Sequence, residues 1–160
     1  GFRAVPDNKF KTQYTRPLMG GTRCHMLAMY VVLESYLQMV ADYPQAYEGE
    51  PGFDFLKEVP TVWDETVVPI AEVGKFVTIA RRNDVNWYVG SINSSEPRKI
   101  DIPLNFLSEG KYEAIIYSDA ADVLQNPNHL IKSTQIVTNQ DKLIVELAGG
   151  GGQAIQLLKM

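Results

Sequence analysis

From residue 76 onward, apolar and polar residues alternate in short runs, and this constrains the chain more than any other feature. KFVTIARR sets Phe76, Thr78 and Ala80 against Val77, Ile79 and Arg81. VNWYVGSI, RKIDIPL, YEAIIYSD, STQIVT, KLIVELA and QAIQLL follow, separated by turn residues such as Asn83-Asp84, Gly110, Asn126-Pro127 and Asn139. Period two puts alternate side chains on opposite faces of a strand. With no long helical crossovers between the runs, about seven strands must pair antiparallel, which predicts a β-sandwich over 74–160. Trp87 and Tyr88 are neighbours in one strand, so at least one faces the core. Gly149–Gly152 lacks the Lys-Ser/Thr that would touch phosphate, and reads as a turn where backbones approach closely.

The first 73 residues follow another pattern. Residues 1–20 read as irregular. Thr22 is suited to cap a helix, and RCHMLAMYVVLESYLQMVADY reads as one long helix over 22–42, stopping before Pro44. Met26, Met29, Tyr30, Leu33, Leu37 and Val40 mark one apolar face. Leu27, Val31, Val32, Tyr36 and Met39 cover much of the rest. Such a helix is buried on most sides, which points to a neighbouring domain. Residues 43–73 read as acidic, aromatic-rich loops, with FDFLKEV as a short helix. The fold class is therefore mainly β, an antiparallel sandwich preceded by one long helix and loops.

Charge narrows the partners. The net charge is −4 and the pI about 5.2, which disfavours nucleic acid or an anionic membrane. Cys24 is the sole cysteine, so no internal disulfide forms. The most apolar stretch, 24–41, is interrupted by His25, Glu34, Ser35 and Gln38 and makes a poor membrane span.

The acidic segment is the candidate for chemistry. Glu48, Asp64, Glu65 and Glu72 offer hard oxygen ligands of the kind Ca²⁺ takes, or carboxyls that could flank a glycosidic bond. The alternative is a solvated acidic loop, and the usual calcium-loop pattern is absent. His25 lies one turn inside the helix, as a base, a ligand, a donor to substrate, or a satisfied half-buried histidine. His129 reads as surface. Cys24 and His25 point about 100° apart on a helix, so they are no nucleophile pair. Arg23, Arg81 and Arg82 can pair with the acidic segment or with a substrate.

Six stretches carry a resemblance. GGTRCHMLAMYVVLES, LQMVADYPQAYEG, FDFLKEVPTVWDET, GKFVTIARR, NWYVG and LAGGGGQAI resemble, in the same order, stretches of glycoside hydrolase family 97. The resemblance implies an N-terminal β-supersandwich, a central (β/α)₈ barrel with the active site, and a C-terminal sandwich. Residues 1–73 would then be the end of the barrel, with its last helix at 22–42 and active-site loops at 43–73. It implies a calcium-dependent exo-α-glycosidase, an α-glucosidase or α-galactosidase, periplasmic or secreted in bacteria. By the same resemblance Glu48, Glu65 and Glu72 are calcium ligands. Glu72 is also the general acid that protonates the departing oxygen, Glu48 the base of inverting members, and His25 a substrate-binding residue. The nucleophile of retaining members lies upstream of this chain.

Two further expectations follow. A barrel active site needs many strands, so the 160-residue chain by itself should be inactive and bind calcium weakly if at all. The alternative is a non-catalytic carbohydrate-binding or interaction module. The partners are an α-linked oligosaccharide and the upstream barrel and N-terminal domains. The apolar side of the helix should be covered by a second copy, a swapped segment or the first twenty residues.

Overall fold

The computed structural model describes residues 2–160. Ten strands form, β1 (Arg3–Ala4), β2 (Leu18–Met19), β3 (Glu65–Glu72), β4 (Phe76–Asn83), β5 (Asn86–Asn93), β6 (Arg98–Pro103), β7 (Tyr112–Asp119), β8 (Leu130–Val137), β9 (Lys142–Leu147) and β10 (Gly152–Lys159). The helices are α1 (Arg23–Val32) and α2 (Phe53–Glu58). One sheet holds six strands in the order β3-β4-β5-β10-β7-β8, all antiparallel. β6 and β9 pair separately, and β1 and β2 form a short parallel pair. Each of the seven runs read from residue 76 is a strand.

The large sheet is covered on both faces. Ile100, Ile102, Leu143, Val145 and Leu147 of β6 and β9 pack on Trp87, Val89, Ile155 and Leu157, giving the sandwich core. Leu27 and Val31 of α1 and Phe55 of α2 pack on Tyr88, Tyr117 and Ala154 from the other side. Trp87 and Tyr88 are therefore both buried, one in each core. The central strands β5 and β10 are buried along almost their whole length, which a strand achieves only when both faces are covered.

α1 lies unusually close to this sheet. A Cβ on Gly90 would stand 2.6 Å from the Ala28 carbonyl oxygen, and one on Gly152 would stand 2.5 Å from the His25 Cα. The glycine run thus allows the close approach expected of it. At the helix start the Thr22 hydroxyl accepts the His25 N–H at 3.1 Å. Buried Arg23 donates to Glu50, to the Phe2 carbonyl and to Asn128, and stacks 4.4 Å over the Phe2 ring. Asn128 exchanges two hydrogen bonds with the Ala4 backbone. The start of the otherwise irregular lead is thereby tied to the domain, whereas Phe10 and Tyr14 are exposed.

Two expectations are corrected. The helix expected over 22–42 ends at Val32, and Leu33 is already extended. Arg81, on β4, donates from Nε to the Val31 carbonyl at 2.6 Å and from Nη2 to that of Val32 at 3.3 Å. The last carbonyls are satisfied by a buried cation, so the helix stops there. Beyond it, Tyr36, Leu37 and Met39 keep a helix-like apolar spacing but are exposed, and helices need packing more than spacing.

The segment 65–72, expected as loop, is the edge strand β3. Val67 pairs with Ala80 and Ile70 with Thr78, so Val68 and Pro69 together oppose Ile79 in a bulge. Thr66, Val67, Val68 and Ile70 favour a strand, and proline is tolerated at an edge bulge. The extra residue breaks period two, which is why alternation did not reveal this strand.

Candidate functional site

The exposed side of α1 carries a cleft of about 480 Å³ whose lining includes His25, Met26, Met29, Tyr30 and Leu33. One helix face (Cys24, Leu27, Ala28, Val31) is spent on the sheet, and the next face opens into this cleft. His25 is half-buried, and its Nδ1 lies 3.0 Å from the Gly151 carbonyl oxygen. A carbonyl only accepts, so Nδ1 carries the hydrogen and Nε2 is the nitrogen left for a ligand. Burial pushes the Tyr30 hydroxyl up to about 12, with Tyr47 adding to it, so Tyr30 stays a proton donor. It donates to the Met39 carbonyl at 3.1 Å. Residues 33–39 double back to close the cleft, helped by Gln38 donating to the Tyr30 carbonyl at 2.9 Å.

Beneath the helix start sits an acid that sequence patterns do not single out. Burial raises the Asp119 carboxyl, an effect offset in part by Thr22, the Gly152 N–H, Cys24 and His25. Its Oδ2 accepts the Gly152 N–H at 3.1 Å. Cys24 is fully buried, and its thiol is pushed far up by burial and then by Asp119. It is a packing residue and no nucleophile.

The expected carboxylates are not gathered. Glu48 is exposed beside buried Tyr47. Glu65 is exposed and accepts from Arg82 Nε at 3.1 Å. Glu72 is exposed and pairs with Lys75 at 2.6 Å. Glu65 and Glu72 stand at opposite ends of β3, about 20 Å apart along the strand. Ligands of one Ca²⁺ all lie within about 2.6 Å of the ion. Among the described residues no group of three His, Cys, Asp or Glu side chains is placed to hold a metal. The described residues therefore do not by themselves fit a calcium ion.

The corner at Trp63–Glu65 has another job. Asp64 Oδ2 accepts the Asp84 N–H at 2.7 Å and lies 3.5 Å from Arg82 Nη1. It braces the turn between β4 and β5, where Asp84 takes φ of 54°. Trp63 packs edge-on against Tyr88 with ring centroids 5.5 Å apart. Two of the three arginines pair with the acidic segment, Arg23 with Glu50 and Arg82 with Asp64 and Glu65, while Arg81 pairs with Glu34, which precedes that segment. His129 lies at the surface, 2.6 Å from Asp122. No described helix is long and apolar enough to cross a membrane.

Known proteins agree with this architecture. A family model described as "Glycosyl-hydrolase 97 C-terminal, oligomerisation" matches residues 62–158. The chain is 37% identical over 145 residues to a retaining alpha-galactosidase of Bacteroides thetaiotaomicron, covering 90% of this chain and 22% of that protein. It is 27% identical over 129 residues to a probable retaining alpha-galactosidase of Streptomyces bingchenggensis, covering 80% and 19%. A glycoside hydrolase family 97 enzyme from Pseudoalteromonas sp. strain K8, solved with acarbose, superposes with a TM-score of 0.81 at 36% identity, covering 88% of this chain and 23% of that one. The chain thus spans about a fifth of the length of the curated relatives it matches.

Proposed function

The chain belongs to glycoside hydrolase family 97 as its C-terminal domain, and from that premise we propose that it serves an exo-acting α-glycosidase that removes terminal α-linked galactose or glucose. The observation that carries this reading is the 37% identity to a retaining alpha-galactosidase across 90% of the chain. We place the chemistry mainly outside these 160 residues, in the barrel that precedes this domain in the family. Against that barrel, the cleft around His25 and the exposed apolar residues after α1 form the docking face. His25 would meet the sugar through Nε2, the nitrogen not held by Gly151. Glu72 is proposed as the general acid, and Glu48 as the base of inverting members. An acid must carry a proton to the departing oxygen, so Lys75 has to leave Glu72 when the active site assembles. Among the described residues Glu48, Glu65 and Glu72 are not gathered around a common point, so they alone make no calcium site. The periplasmic or secreted location rests on the family resemblance. We further propose that this domain holds copies of the enzyme together, the role named in the family description.

The test uses p-nitrophenyl α-galactoside and α-glucoside. The 160-residue chain is expected to release no nitrophenol above background, with or without added calcium, and to give no calorimetric signal with Ca²⁺. The chain extended by its preceding coding sequence is expected to turn over at least one of the two. Turnover by the short chain, or by neither form, refutes this placement.

A further inference from the structure

β8 is open along one edge and over most of both faces. It is the last strand of the six-stranded sheet, so one edge carries no neighbouring strand. Residues 131–136 are all exposed, and of the helices only α2 reaches them, through Asp54 beside Lys132. The outward backbone groups of such an edge are a template for another strand. The opposite edge of the sheet is guarded. β3 has a bulge, Pro69 inside it, and charged ends at Glu65 and Glu72. β8 has no proline, no bulge in its pairing with β7, and a single charge, Lys132. Lys132 is already turned toward Asp54 at 2.5 Å.

We propose that β8 pairs with β8 of a second copy of this chain, antiparallel about a two-fold axis through Ser133, joining the two sheets into one. This deepens the oligomerisation reading above and rests on it. The sequence of the strand fits this pairing. A two-fold axis normal to a sheet keeps each face continuous, so paired residues must share parity. Centring on Ser133 sets Leu130 opposite the partner's Ile136, twice by symmetry, on the face that carries the helices. Ile131 then meets the partner's Gln135, and Lys132 meets the partner's Thr134. No like charges oppose one another, which cross-strand pairing requires.

Two substitutions at the axis test the register, both at an exposed position that β8 does not need for its own fold. Ser133→Lys places two ammonium groups directly opposite each other, and is expected to weaken dimerisation at least about tenfold in sedimentation equilibrium. At a dilution where the parent is itself monomeric, its unfolding temperature should equal that of the parent. Ser133→Cys places two thiols across the axis at a Cα separation of about 4.5–5.5 Å, within disulfide reach. Copper phenanthroline and oxygen should convert it to a covalent dimer, while Gln140→Cys, on the turn beyond the strand, should remain single. A dimer that ignores Ser133→Lys and does not cross-link at Ser133→Cys overturns the edge pairing and leaves the oligomerisation reading standing. A parent chain that sediments as a monomer at about 100 μM overturns both.

Discussion

Replacing Gly90 by alanine tests the idea that α1 is pressed against the sheet. Gly90 lies in mid-strand outside the left-handed region, so its backbone suits alanine. Taken alone, the change would stabilise by about 0.4–1 kcal/mol through the unfolded chain. Contacts decide otherwise. The new Cβ would stand 2.6 Å from the Ala28 carbonyl oxygen, 3.0 Å from Val31 Cβ and 3.1 Å from Val32 Cγ2. To restore ordinary separation the helix must retreat by about 0.8 Å, against a backbone atom that cannot turn aside. Retreat loosens Leu27 and Val31 from the inner core. Overpacking costs about 1–3 kcal/mol, and against a rigid backbone oxygen the upper end applies, so after the gain above the net destabilisation is about 2 kcal/mol. For a chain of this size that lowers Tm by about 4–8 °C, read by circular dichroism or calorimetry. Gly49→Ala is the control, because Gly49 has φ of 72° and nothing within 4 Å of a Cβ. It should lose only the conformational cost, about 1 kcal/mol, or about 2–4 °C. A Gly90→Ala variant that melts at or above the parent would refute the argument.

Three other outcomes follow from the buried polar groups. Arg81→Met leaves the Val31 and Val32 carbonyls without their donor and should destabilise by about 2 kcal/mol in urea, with the fastest new hydrogen exchange at the end of α1. Asp119 holds its proton more tightly folded than unfolded, so its contribution is greatest below the ordinary carboxylate range and declines as pH rises through that range to its raised value. Asp119→Asn keeps an acceptor for the Gly152 N–H and should flatten that part of the stability–pH curve; an unchanged slope would count against the burial argument. Cys24 should resist dithionitrobenzoate in the native protein and react once urea unfolds it, and rapid native labelling would contradict its burial.

Much of the sandwich was legible because its strands obey a local rule. Alternation from Phe76 to Leu158 needs only neighbouring residues, and the glycine run and the Thr22 cap are equally local. What escaped depends on distant partners. The end of α1 is set by Arg81, some fifty positions away, while the apolar spacing of residues 33–42 continues as though the helix did. β3 escaped because Val68 and Pro69 interrupt its period. Asp119 has no pattern at all, and the groups around it, Thr22, Cys24, His25 and the Gly152 N–H, come from distant parts of the sequence. The acids of the middle segment were rightly seen as partners for Arg23 and Arg82, whereas Arg81 pairs with Glu34 before that segment. Their expected meeting around calcium is not found within this chain, since β3 holds Glu65 and Glu72 at its two ends.

The bulge in β3 acts as a unit of arithmetic. Glu65 and Glu72 are seven positions apart, an odd number that in a regular strand would send them to opposite faces. The extra residue at Val68–Pro69 makes the count effectively even, so both belong to the face on which Val67 and Ile70 meet the sandwich core. Removing one residue there would leave six positions and a regular ladder, with every rung formed and both glutamates still on that face. The rungs to Arg82 and Phe76 are therefore what keep the two acids looking the same way, and straightening the bulge without removing a residue would shift one of them to the side of the helices.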